Sequence, residues 1–291
     1  MKIAISTDTS CTISKSLAEK LNIKVFPLNV IVNGEEFLDG ISITPEILRD
    51  DMIADKTIKT STPPPSSVIE YFKNLFNEGY DKIIHFTISS QLSSMNQLFK
   101  FISEDKFDNK IVVVDSYSVS SLMLSHVLFA YEEINKGTSI EEVLTKIEER
   151  KQNNAVVFIP ENLTALKNGG RISPAIALLG NMIGLKPILT LKDGKLDKDS
   201  MARNAKKAMS ERLDALLTDF PLNKYDICIT SFYGNEQLIE YLKKQIQTKF
   251  PDYQVPILPL SINVSAHTGP GTIGLIVSPK IGEKSIVEYL F

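Results

Sequence analysis

In the first half of the chain, short apolar runs alternate with longer stretches in which apolar residues recur every three or four positions, the signatures of strands and amphipathic helices. Lys2–Ser6, Val25–Val32, Lys82–Ile88 and Lys110–Asp115 read as strands. The helices between them have recognisable ends: Ser14 precedes one periodic segment, Thr44 stands before Pro45 at a first helical position, and Gly79 and Gly137 sit where helices stop. Strand and helix in turn favour a mostly parallel sheet covered on both faces. Asn33-Gly34 marks a tight turn, and the run Pro63-Pro64-Pro65 with its Ser/Thr flanks predicts an ordered, stiff loop.

From Ala155 the pattern changes. A strand over Ala155–Ile159, a helix to Lys167 and the pair Gly169-Gly170 lead into a strongly apolar helix over Pro174–Leu185, which has so few polar positions that it must be covered nearly all round. Asp193-Gly194 reads as a hairpin turn. A long helix over Arg203–Leu217, strands Tyr225–Thr230, Gln254–Leu258 and Thr272–Val277, and a helix over Glu236–Phe250 complete a mixed sheet. The expectation is an α/β chain of two domains. Residues 1–154 form an N-terminal, mostly parallel Rossmann-like sheet with flanking helices, and residues 155–291 a C-terminal mixed α/β sandwich, with a ligand between them.

Composition agrees with this reading. A length of 291 residues suits about two domains, each able to bury a core without metal or disulfide help. With 43% hydrophobic and 23% charged residues the chain sits near globular averages and far from disorder. The start MKIAISTD is too short a run for a secretory signal, and no stretch approaches the ~18 apolar residues of a membrane helix, so a cytoplasmic location is expected. Cys11 and Cys228 form neither a CxxC pair nor a zinc pattern, so reduced thiols and no metal are expected. The formal charge of −3 and the lack of a nucleic-acid-binding motif argue against nucleic acid as a partner. The charge is uneven: residues 1–150 carry 15 basic and 22 acidic side chains, whereas 151–291 carry 17 and 13.

Ligands of open α/β sheets bind beyond the carboxyl ends of the strands, and in this chain those positions are rich in hydroxyls. Ser6-Thr7-Asp8-Thr9-Ser10 follows the first strand, Thr87 to Ser94 the third and Asp115-Ser116 the fourth, while the proline loop offers Thr60-Ser61-Thr62. Helix capping accounts for any one of these clusters. Several of them converging with helix N-termini make an anion site able to hold a carboxylate or phosphate. Of the three histidines, His85 lies within the apolar run IIHF as a core residue and His126 on a helix, whereas His267 precedes Thr268-Gly269-Pro270-Gly271 in a loop able to aim it at a ligand. Ser93, His267 and Asp8 or Asp115 would make a hydrolytic triad on paper. That leaves a serine/histidine hydrolase acting on acyl or phosphate esters as the alternative, although GxSxG is absent. Neither GxxxxGK[ST] nor GxGxxG occurs, which argues against the common nucleotide enzymes. Between residues 167 and 212 ten basic side chains face four acidic ones, Arg171 among them, a solvated face or a docking surface.

As an ordered set, several pieces resemble one family: Thr7-Asp8 after the first strand, Pro27-Leu28, Lys59-Thr60-Ser61, Ser89-Ser90-Gln91-Leu92-Ser93, Val114-Asp115-Ser116, Leu166 to Ser173 with Gly169-Gly170-Arg171, Lys186-Pro187-Ile188-Leu189 and His267 to Gly271. Over almost its whole length the chain resembles the DegV family, the fatty-acid-binding proteins that include the FakB subunits of bacterial fatty acid kinase systems. Where the family usually has Gly-Thr after the Leu-Ser serine, this chain has Ser94-Met95. The resemblance implies a lipid-binding carrier with no catalysis and no cofactor of its own, holding one long-chain fatty acid in an interdomain tunnel. Thr60, Ser61, Ser93 and His267 would meet the carboxylate, and Arg171 would face the partner. That partner would be the fatty acid kinase catalytic subunit, which forms an acyl phosphate that feeds lipid synthesis. Transient membrane contact is compatible with such a role.

Overall fold

The computed structural model describes residues 1–173, 176 and 184–291. The helix expected over Pro174–Leu185 therefore lies, but for Ile176, Gly184 and Leu185, outside the described residues. Strands run in the order β1 (Ile3–Asp8), β2 (Lys24–Phe26), β3 (Asn29–Val32), β4 (Glu35–Leu38), β5 (Ile58–Ser61), β6 (Lys82–Thr87), β7 (Ile111–Asp115), β8 (Ala155–Ile159), β9 (Lys186–Lys192), β10 (Lys195–Ala202), β11 (Tyr225–Phe232), β12 (Ile257–Pro259) and β13 (Thr272–Pro279). Among the described residues they make three sheets. A parallel four-stranded sheet has the order β2-β1-β6-β7, a mixed six-stranded sheet the order β10-β9-β8-β13-β11-β12, and an antiparallel sheet the order β4-β3-β5. This is the expected α/β class, with a parallel and a mixed sheet in the two halves of the chain.

Both faces of the parallel sheet are covered. One face packs Ile5, Ile84 and Phe86 on the helices Ser120–Asn135 and Ile140–Lys151, and the other packs Ala4, Phe26 and Ile83 on Pro65–Asn77 and Met95–Phe107. The strands therefore read as continuous apolar runs rather than as alternating ones. In the six-stranded sheet alternation decides the faces. Val157, Ile159, Ile227, Ile229, Ile273 and Leu275 pack outward on the helices Ala205–Asp219 and Glu236–Lys249, while Val156, Phe158, Leu189, Leu191 and Ile276 turn inward to Leu122 and Leu166.

Two expectations change. The run Val25–Val32 is two strands in different sheets, β2 beside β1 and β3 between β4 and β5. The break falls at Pro27, which has no N–H for the ladder, and the amide of Leu28 donates to Thr9 Oγ1 at 3.2 Å instead. His267 lies not in a loop but in the last turn of a helix, Ile262–Thr268. Ser261 caps that helix by accepting from the Val264 amide, and the buried Asp39 carboxylate, 224 residues away in sequence, accepts from the Asn263 amide at 3.0 Å. The hairpins at Asn33-Gly34 and Asp193-Gly194 form as expected, and Pro65 opens a helix rather than ending the loop. Cys11 and Cys228 are buried free thiols, and none of the described helices is long and apolar enough to cross a membrane.

Candidate functional site

An open cavity lies between the carboxyl ends of the parallel sheet and the inward face of the six-stranded sheet. The order β2-β1-β6-β7 reverses direction between β1 and β6, and the loop that follows β6 reaches the cavity through Ile88 and Leu92 to Met95. Its apolar walls take Val156, Phe158, Leu191, Leu196 and Ile276 from strands of the six-stranded sheet, Met95 and Leu166 from helices, and Leu28, Ile88 and Leu260 from the connections that follow β2, β6 and β12. Among the described residues the lining contains no carboxylate, and its one charged side chain is Arg171.

Polar groups gather on the solvent-reaching side. The half-buried Thr60, Ser61, Ser93, His267 and Arg171 all line this cavity, and the exposed pair Thr62 and Ser94 closes the rim with a 2.9 Å hydrogen bond between their hydroxyls. Thr60 Oγ1 and His267 Nε2 share a hydrogen bond of 2.8 Å across 207 positions of sequence. The register of β5 on β3 sets Thr60 opposite Val30, and the helix Ile262–Thr268 packs on both strands. Ser93 Oγ accepts from the amide of Met95 at 3.3 Å, at the start of a 13-residue helix. The N-terminal end of that helix favours negative charge.

Burial first, and then the neighbouring Arg171 guanidinium, hold His267 down at about 4, so the ring is neutral at neutral pH. Its Nδ1 has no hydrogen-bond partner among the described residues. Gly169 seats the ring: a Cβ there would fall 2.1 Å from that nitrogen, an impossible contact, so only glycine leaves the imidazole its place. Arg171 is held by main-chain carbonyls, donating to Leu92 O at 3.3 Å and to Gly169 O.

The other hydroxyl clusters serve the fold. Ser6 bonds Tyr71 and His85, Ser10 bonds Asp8, and Ser116 bonds the carbonyl of Ser118. The paper triad is not assembled. Asp8 accepts from Ser10 and from the Ile88 amide, Asp115 from the amides of Ser90 and Tyr117, and His267 bonds Thr60 rather than Ser93. No group of three His, Cys, Asp or Glu among the described residues could hold a metal. Sequence reasoning passed over Ser120, Thr230, Asn263, Thr268 and Thr272 in the lining. Only the alternation of β11 signals one of them, by placing Thr230 on the inward face opposite Ile229.

The sequence profile of the family described as "Uncharacterised protein, DegV family" matches residues 2–280. A DegV domain-containing protein of Staphylococcus aureus is 29% identical over 286 residues, covering 96% of this chain and 99% of its own length. One from Clostridium perfringens is 30% identical over 278 residues, covering 94% and 97%. Among solved structures, a fatty acid binding DegV family protein from Thermus thermophilus superposes with a TM-score of 0.86 at 29% identity, over 96% of this chain and 100% of that one. A stearic acid-binding protein from Eubacterium ventriosum superposes with a TM-score of 0.84 at 26% identity, over 97% and 99%. A cavity between a parallel and a mixed sheet, a polar rim carrying the resemblance's own residues and a profile match over nearly every position lead to one conclusion: this chain belongs to the DegV family.

Proposed function

We propose that this protein binds one long-chain fatty acid in the cavity, with the acyl tail against the apolar walls and the carboxylate at the hydroxyl rim. The single observation that carries the reading is the asymmetry of the cavity. Away from the rim its walls are largely apolar, with the buried Ser120, Thr230, Asn263, Thr268 and Thr272 as the exceptions, and Thr60, Ser61, Ser93, His267 and Arg171 stand on the side that reaches solvent. Burying an acyl tail of about fifteen carbons at ~0.8 kcal/mol per CH₂ supplies on the order of 10 kcal/mol before ordering costs. The tail sets affinity, and the hydroxyls and the neutral His267 orient the head. The fatty acids bound by the Thermus and Eubacterium proteins support the same ligand class.

In this reading the two domains are residues 1–154 and 155–291, and the protein is a carrier. It hides a detergent-like molecule and presents the carboxyl end to a fatty acid kinase, which forms the acyl phosphate. Arg171, beside the rim and without a carboxylate partner among the described residues, is the group offered to that partner or to its product. Mass spectrometry of an organic extract of bacterially expressed protein should find one equivalent of a C14–C20 fatty acid. Protein that carries none and takes up none in titration would end this reading.

A further inference from the structure

The cavity has a second polar spot, away from its rim. Ser120, at the start of the helix Ser120–Asn135, and Thr230, on β11, both line the cavity and are 1% and 3% exposed. Their hydroxyl oxygens lie 3.4 Å apart, and Thr12 Oγ1 donates to Ser120 Oγ at the same distance. Hydroxyl hydrogen bonds normally measure about 2.7–2.8 Å, so the two buried hydroxyls and that of the part-buried Thr12 are joined here only by long contacts. None of them bonds to Thr60, Ser93 or His267.

A tunnel wall made only for a saturated hydrocarbon gains nothing from such groups, because buried hydroxyls without good partners are destabilising and valine or alanine would pack as well. The partner of Thr230 across the ladder is Gly274, whose missing Cβ makes room for the Thr230 side chain, since a Cβ there would fall 2.8 Å from Thr230 Cγ2, and both residues line the cavity. From these observations we infer that the cavity accepts a fatty acid carrying a hydroxyl group along its chain, with that oxygen seated between Ser120 and Thr230. The inference rests on the fatty-acid reading and adds the ligand's functional group to it. A ligand hydroxyl bridging the pair would donate to one oxygen and accept from the other, replacing long contacts with ordinary ones.

The test is competition of monohydroxystearates, with the hydroxyl moved along the chain, against stearate on the full-length protein. With the carboxylate fixed at the rim and the hydroxyl pair fixed in the wall, one narrow window of carbon positions should bind within about tenfold of stearate or better, and positions outside it should bind at least tenfold worse. Thr230→Val, close in shape, and Ser120→Gly, suited to the φ of 58° at that position, should each weaken the favoured hydroxystearate by about tenfold and leave stearate unchanged. A flat positional profile, or rejection of every hydroxystearate by more than a hundredfold while stearate binds, overturns the inference. So does an equal loss of both ligands in the variants, which would make the pair a tie between the two halves of the fold. Failure of the wild-type protein to bind stearate at all would instead sink the proposed function.

Discussion

His85 is fully buried and His267 half-buried, and both are neutral and hydrogen-bonded to a hydroxyl at 2.8 Å, yet they sit in regions of opposite character. His85 shares its bond with Ser6, stacks on Phe99 with ring centroids 4.7 Å apart, and is enclosed by Phe72 and Tyr71. Burial pushes it down to about 3. His267 makes the same kind of bond to Thr60 but borders the cavity, with Arg171 and Ser93 in the same lining. The side-chain chemistry is the same, and only the space beside it differs. A filled neighbourhood makes His85 part of the core, and an empty one makes His267 available to a ligand.

The largest expected effect probes filling itself. Phe99 is fully buried among Phe26, Phe72 and His85, so Phe99→Ala should destabilise by about 3–5 kcal/mol in urea unfolding. Leu191 faces the cavity and gives up fewer contacts, so Leu191→Ala in ligand-free protein should cost about 2 kcal/mol, the low end for such truncations. Equal losses would erase the distinction between the two regions.

Acid sharpens the comparison next. His85, His126 and His267 are all held below the ordinary histidine value, chiefly by burial, so they stay neutral in the folded chain and take up protons on unfolding. Their contribution is fully present above pH 6.5 and is lost as the pH falls toward about 4. Asp8 and Asp39, pushed up by burial to about 6, act in the opposite sense and favour the fold as the pH falls from about 6 to about 4. Asp226 is pushed up by burial in the same sense, whereas Glu132, Glu133 and Asp214 are held below the ordinary carboxylate range and lose their contribution as the pH falls. Together with the three histidines they give a net loss of stability between pH 6.5 and 4. Unfolding free energies measured across that range should fall with pH, and His267→Gln should flatten the slope. Stability that rises toward pH 4 would mean that the carboxyls pushed up by burial dominate.

The same contrast explains what could be read in advance. Parallel strands buried on both faces were legible as apolar runs, and so was His85 as a core residue, because the run IIHF leaves it no exposed side. The hydroxyls at strand ends were legible as a population. Which of them would meet was not, since Thr60 and His267 are brought together by the register of β5 and by a seven-residue helix whose N-terminus is held by Asp39 from the other half of the chain. Ser120 and Thr230 escaped notice for the same reason. The antiparallel sheet β4-β3-β5 was hidden by a continuous apolar run, in which Pro27 was the one mark of the change of sheet.

Head-group recognition should respond more modestly. Ser93→Ala removes one hydroxyl from the rim, and loss of a hydrogen bond to a charged group typically costs ~1.5–3 kcal/mol. Fatty acid retention measured by titration should weaken accordingly, with little change in the stability of the ligand-free chain. Ser6→Ala, by contrast, should destabilise the chain without changing ligand affinity, because its hydroxyl is spent on His85 and Tyr71 in the filled region. The contrast fails if both serines affect the same property.

The smallest effect on ligand retention is expected at Arg171. Its guanidinium is fixed by the carbonyls of Leu92 and Gly169 rather than by a carboxylate, and its field helps keep His267 neutral. Arg171→Ala should therefore hold fatty acid within about threefold of wild type, on the order of 0.6 kcal/mol. It should slow kinase-dependent acyl phosphate formation and flatten the salt dependence of docking, because a charge at the rim steers a partner more than it anchors a buried tail. Parallel titrations of Arg171→Ala and Ser93→Ala separate the two roles. If both variants lose the fatty acid to the same degree, Arg171 is the carboxylate's counter-ion, and the rim is a single head-group site with no residue set aside for a partner.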